Sequence, residues 1–235
     1  MRPLLEIAML QSSSFAFLFL IAAVLPAQEP APPAPNAVPQ APVVEVPTFP
    51  NPTCPIMGKK VSMPLFVDTE LGRFYVCCKP CYKKIRADVP AAHKTAFPVV
   101  TDANNKSCPV SGEAIGDLAV AVTLQGSRFK VCCEGCVAAA REHSQVTLTK
   151  VTRTGITDIG NRTCPVSGKP TAANAFVLVD NAIVHLAEPA LADAVAKDPT
   201  ALLAKAKAIA AAQPPTQKHE HTKPTPKVET PKEGK

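Results

Sequence analysis

Three times along the chain, two short apolar runs alternate with polar positions on either side of a turn. "MPLFV" and "RFYV" flank "DTELG", "LAVAVTL" and "RFKV" flank "QGS", and "AFVLV" and "AIVHL" flank "DN". Short runs rich in Val, Phe and Leu, bounded by Gly, Asp, Asn and Ser, predict three β-hairpins. A helical stretch follows each: "CYKKIRAD", "CVAAAREHS" and "PALADAVAK". A further helix is predicted over "TALLAKAKAIAAA", capped by Asp198 with Pro199 in its first turn. Each hairpin is preceded by a similar opening: "TCPIMGKK" (53–60), "SCPVSGEA" (107–114) and "TCPVSGKP" (163–170). The first cysteines of these openings lie 54 and 56 residues apart, so the chain reads as a triplicated unit over 53–98, 107–150 and 163–212. Each unit is a Cys-Pro-x-x-Gly turn, a hairpin and a helix, which makes the fold class α+β.

The flanks have a different pattern. Residues 15–25, "FAFLFLIAAVL", are wholly apolar; eleven residues suit the core of a secretion signal and fall short of the roughly 20 that span a bilayer. A signal peptide over 1–27 is expected, hence an extracytoplasmic location, periplasmic or secreted, with no membrane span in the mature chain. Residues 28–52 carry proline every few positions and predict an extended, disordered spacer, and 213–235 predict a disordered Pro/Lys-rich tail.

The net charge of +6 is spread along the chain, and with no tryptophan and 5% aromatics there is little to stack on bases, so no nucleic-acid partner is expected. Neither a nucleophile elbow, a phosphate-cradling glycine loop nor an HExxH helix occurs, and the chain reads as a non-enzyme. Asn105 and Asn161 stand in N-x-S/T contexts, which matter where the source glycosylates.

Nine cysteines change the picture most. "YVCCKPC" (75–81) and "KVCCEGC" (130–136) each place three sulfurs at a strand-to-helix junction. With the turn cysteine, unit one holds Cys54, Cys77, Cys78 and Cys81, and unit two holds Cys108, Cys132, Cys133 and Cys136. A helix start favours thiolate over thiol, and thiolates are the ligands of Zn²⁺ and Cu⁺. Folds of about 50 residues bury little apolar surface and gain stability from such a metal. The side chains of a Cys-Cys pair diverge, so Cys77 or Cys78 joining Cys54 and Cys81 is a better set than all four together.

A turn cysteine, about twenty residues and then C-x3-C resembles the small heavy-metal-binding modules called TRASH and their YHS relatives. Cys54, Cys77 and Cys81 fit that pattern, as do Cys108, Cys132 and Cys136, and "CPxxGK" and the aromatic-Val-Cys approach look alike as well. The resemblance implies tandem treble-clef-like units and a role in metal sensing, trafficking or resistance. It covers the first two units and the third only in outline.

In the third unit "VHLAEPAL" (184–191) stands where the others carry cysteines. His185 falls near the position of Cys77, and Cys164 with His185 gives too few donors for a closed zinc site, so this unit is expected to fold by packing and to bind no metal. Met57 is a candidate thioether ligand or a core residue. His93 and His143 read as surface histidines, and "HEH" (219–221) as a loose metal binder. Two alternatives stand beside metal binding. One is an envelope protein stapled by disulfides, the usual state of exported cysteines. The other is a redox protein using "CKPC" and "CEGC", although that motif ordinarily sits in a larger βαβ domain.

Overall fold

The computed structural model describes residues 42–214, which hold mixed α and β structure in several small sheets with six α-helices. The expected signal peptide, the spacer up to residue 41 and the tail from 215, including "HEH", lie outside the described residues.

The three hairpins form where alternation predicts them: β2 (Ser62–Thr69) with β3 (Gly72–Val76), β5 (Val120–Leu124) with β6 (Ser127–Val131), and β8 (Phe176–Val179) with β9 (Ala182–His185). Short strands extend two of them. β4 (Thr101–Asp102) runs parallel to β6, giving the order β4-β6-β5, and β7 (Thr157–Asp158) runs parallel to β9. β1 (Val44–Glu45) lies antiparallel to β8, so the third sheet has the order β1-β8-β9-β7. Each hairpin packs the inward side of its strands into its own core, around Phe74 and Val76, Phe129 and Val131, or Val177 and Val184.

Helices follow each hairpin in pairs. α1 (Pro80–Ala87) and α2 (Val89–Ala96) close the first unit, α3 (Gly135–Glu142) and α4 (Ser144–Thr152) the second. In the third, a 3₁₀ turn (Pro189–Leu191) leads into α5 (Ala192–Lys197) and then α6 (Pro199–Ala212). Asp198 caps α6 by accepting from the Ala201 amide at 3.1 Å, and Asp88 caps α2 from Ala91 at 3.0 Å, each followed by proline in the first turn.

Residues 42–52, expected as the end of the disordered spacer, are instead structured. Val44 and Glu45 pair with β8, Phe49 packs on the core of the second unit, and Asn51 is buried in the first. The unit boundaries are likewise bridged. At the tip of the second hairpin Gln125 adopts φ +45° and is buried; its Oε1 accepts from the Arg73 amide at 3.0 Å and its Nε2 donates to the Phe49 carbonyl at 2.7 Å. A Cβ on Gly72 would come within 2.8 Å of the Gln125 side chain, so only glycine allows this approach. α4 is the central tie: Leu148 faces the second core, while Val146 packs with Phe176, Leu178 and Ile183 of the third sheet.

Candidate metal centres

Each cysteine turn is built the same way. The amide of Gly58 donates to the Cys54 carbonyl at 2.8 Å, Gly112 to Cys108 at 2.8 Å and Gly168 to Cys164 at 2.9 Å. These glycines have φ of +63°, +78° and +71°, a left-handed bend that a Cβ disfavours. An isolated antiparallel bridge closes each turn: Thr53 with Lys60, Ser107 with Ala114, Thr163 with Pro170.

An asparagine three residues before each cysteine fastens that turn to the second hairpin strand. Asn51 Nδ2 donates to the Thr53 and Tyr75 carbonyls at 2.7 and 3.0 Å, while its Oδ1 accepts from the Tyr75 amide at 2.8 Å. Asn105 makes the same three bonds with Ser107 and Lys130, and Asn161 with Thr163 and His185. Read as glycosylation contexts, Asn105 and Asn161 turn out to be structural staples; the repeated N-x-[ST]-C string was the available signal.

The staple fixes where the junction residues fall. Two residues past Tyr75, Lys130 and His185 come Cys77, Cys132 and Ala187, and the amide of each donates to the turn sulfur of Cys54, Cys108 or Cys164. The counterpart of Cys77 in the third unit is therefore Ala187, correcting its assignment to His185. His185 instead contacts Asp158 Oδ1 at 2.8 Å, and Lys150 approaches Asp158 Oδ2 at 3.0 Å.

Two groups of three sulfurs result. The Sγ atoms of Cys54, Cys77 and Cys81 lie within 4.8 Å of one another, as do those of Cys108, Cys132 and Cys136. Cys54 and Cys81 are 3.6 Å apart, and Cys132 and Cys136 3.5 Å. Four sulfurs at about 2.3 Å from a tetrahedral ion stand about 3.8 Å apart, so both groups match the span of a thiolate cage. Of each vicinal pair, the geometry groups the first member with the turn cysteine. Cys78 sits beside its triad, 3.5 Å from Cys81 and 3.9 Å from Cys77, and Cys133 lies 3.9 Å from both Cys132 and Cys136. Among the described residues, which include all nine cysteines, no disulfide joins any pair.

The turn sulfurs are prepared to ionise. Burial opposes a charge on Cys54, but the amides of Cys77, Ile56 and Met57 and the Cys81 thiol outweigh it and hold its pKa down at about 7. Cys108 behaves alike: burial is overcome by the amides of Ser111, Cys132 and Val110 and by the Ser111 hydroxyl, again to about 7. Burial and the neighbouring sulfurs push Cys81 up to about 12 and also raise Cys136. Each group thus holds one sulfur that ionises more readily than an ordinary cysteine, beside others whose thiol form is favoured.

The third turn keeps this amide nest, and burial on Cys164 is likewise outweighed by Ser167, Ala187 and Val166. Its surroundings differ: Ala187 and Leu191, at the places of Cys77 and Cys81, pack with the buried Cys164 in an apolar cluster with Val195. The two histidines expected at the surface also have structural partners. His93 is half-buried against Phe74 and Phe97, ring centroids 6.2 and 5.3 Å away, and burial lowers its pKa. His143 Nδ1 lies 3.0 Å from the Ala173 carbonyl, tying the α3–α4 junction to the third unit. Met57, half exposed, donates its amide to Cys54.

No helix among the described residues is long and apolar enough to cross a membrane. No protein-family model, curated protein or solved structure matches the chain.

Proposed function

We propose that this chain is an exported metal-binding protein. It holds one thiophilic ion, Zn²⁺ or Cu⁺, on Cys54, Cys77 and Cys81 and another on Cys108, Cys132 and Cys136, for sequestration, trafficking or resistance rather than catalysis. The observation that carries this reading is the twice-built sulfur triad, each with a turn cysteine whose amide nest favours thiolate. The residues fit the ion by donor type and by sulfur spacing. A bound ion would supply cross-linking of turn, strand end and helix start, in units too small to be secure by packing alone. The resemblance to TRASH and YHS modules, with their treble-clef-like frame, points to the same chemistry. Cys78 and Cys133 stand next to the triads, each near two of the three sulfurs but outside the set that lies within 4.8 Å of one another.

The test is metal content and free thiols measured together on protein purified from its native compartment. About two ions per chain with reduced cysteines supports the proposal. Metal-free protein with paired cysteines favours the disulfide staple, and reductase turnover dependent on Cys78 favours the redox alternative.

A further inference from the structure

The two sulfur groups are built alike but bounded differently. In the second, Cys108, Cys132, Cys133 and Cys136 are all buried, at 2, 6, 5 and 0% exposure. In the first, Cys54 and Cys81 are buried, whereas Cys77 and Cys78 are each partly open to solvent. The third residue after the turn cysteine differs too. Ser111 places its hydroxyl 3.4 Å from Cys132 Sγ and also hydrogen-bonds Cys108, so it links two sulfurs across the mouth of its group. Met57 occupies the matching place, is 50% exposed and carries a thioether with no hydroxyl to donate.

From this contrast, and resting on the metal-binding reading above, we infer a division of labour. The Cys54–Cys77–Cys81 centre is the exchangeable one, loading and releasing a thiophilic ion through the face formed by Cys77, Cys78 and Met57, while the Cys108–Cys132–Cys136 centre holds its ion as a structural clamp. Ligand exchange at a thiolate-bound ion proceeds through attack by an incoming donor, so the rate follows access to the ion's coordination sphere. A partly open sulfur edge supplies that access; a buried set bridged by a hydroxyl withholds it. A soft thioether at the open edge adds a transient donor for a departing or arriving ion, which a serine does not.

The experiment uses the full chain loaded with two equivalents of Zn²⁺ and mixed with excess chromogenic chelator. Release is expected in two phases of one equivalent each, about tenfold or more apart in rate. Met57→Ser should slow only the fast phase, and Ser111→Ala should speed only the slow one. Limited iodoacetamide labelling of the same loaded protein, mapped by mass spectrometry, should modify Cys77 and Cys78 before any cysteine of the second centre, and needs no variant to fold. Release of both equivalents at one rate, or equal labelling of Cys77 and Cys132, overturns the division of labour while leaving two bound ions in place. Failure to bind Zn²⁺ at all overturns both this inference and the metal-binding reading.

Discussion

The second and third units set two solutions to one problem side by side. Both use an asparagine staple, a Cys-Pro-x-x-Gly turn, a hairpin and a parallel strand added from the preceding linker. At the junction, Cys132 and Cys136 face Cys108 in one, and Ala187 and Leu191 face Cys164 in the other. In the third unit the apolar surface that replaces the sulfurs is buried by α5 and α6, with Val195 and Ala206 fully inaccessible. On the proposed function, the same backbone frame would admit coordination or packing as its lock, with the residues at two junction positions setting which.

The largest effect expected is from breaking the coordinated lock. Structural Zn²⁺ in small modules contributes on the order of 10 kcal/mol, more than a small domain's whole stability, so Cys136→Ser should cost one bound ion and unfold the second unit. Amide exchange should show loss of protection across β5, β6 and α3, with β8 and β9 far less affected. The converse substitution sharpens the comparison: Ala187→Cys with Leu191→Cys should raise metal content by one equivalent, read by inductively coupled plasma analysis.

Next in size are the staples. Asn161→Ala removes three hydrogen bonds and leaves partly buried backbone groups of Thr163 and His185 without them, a cost of about 2–3 kcal/mol in thermal unfolding. Asn51→Ala should cost less in metal-loaded protein than in metal-free protein, because an ion on Cys54 and Cys77 holds the same turn to the same strand.

A pH effect separates the third unit from the others. Burial disfavours a charge on Asp158, but His185 and Lys150 more than compensate and hold its carboxyl well below the ordinary carboxylate range. With the folded value depressed, its stabilisation is full above about pH 4 and is lost as pH falls through the folded value. Asp158→Asn should therefore cost about 1–2 kcal/mol at neutral pH and progressively less in acid, followed by denaturant midpoints across pH. Smallest is the surface pair of Arg153 with Glu45, where Arg153→Ala should shift stability by only about 0.5 kcal/mol and less in high salt.

Much of this architecture is legible in the residue string. Hairpins follow from alternation, α6 from its cap and proline, and the sulfur groups from C-x3-C repeated after a cysteine turn. The missed helices have different causes. α2 was signalled by Asp88 and Pro90, the same device that announces α6, in a stretch of only eight residues directly after α1. α4 was not signalled: "SQVTLTKVT" is rich in β-branched residues that disfavour helix, and it is helical because Val146 and Leu148 are buried against two cores. Val44 and Glu45 looked like spacer because strand pairing with β8 is set by a partner more than 130 residues away. His185 was placed by counting residues; its register in the sheet puts Ala187 there instead. The pairing of Cys77 rather than Cys78 with Cys54 likewise depends on which way a strand end points, which spacing does not encode.

The central claim is sulfur coordination in both centres, and X-ray absorption at the metal edge of the loaded protein tests it most directly. The account predicts a first shell of three to four sulfurs at about 2.3 Å. A first shell of nitrogen or oxygen at about 2.0–2.1 Å, with sulfur absent, would contradict it.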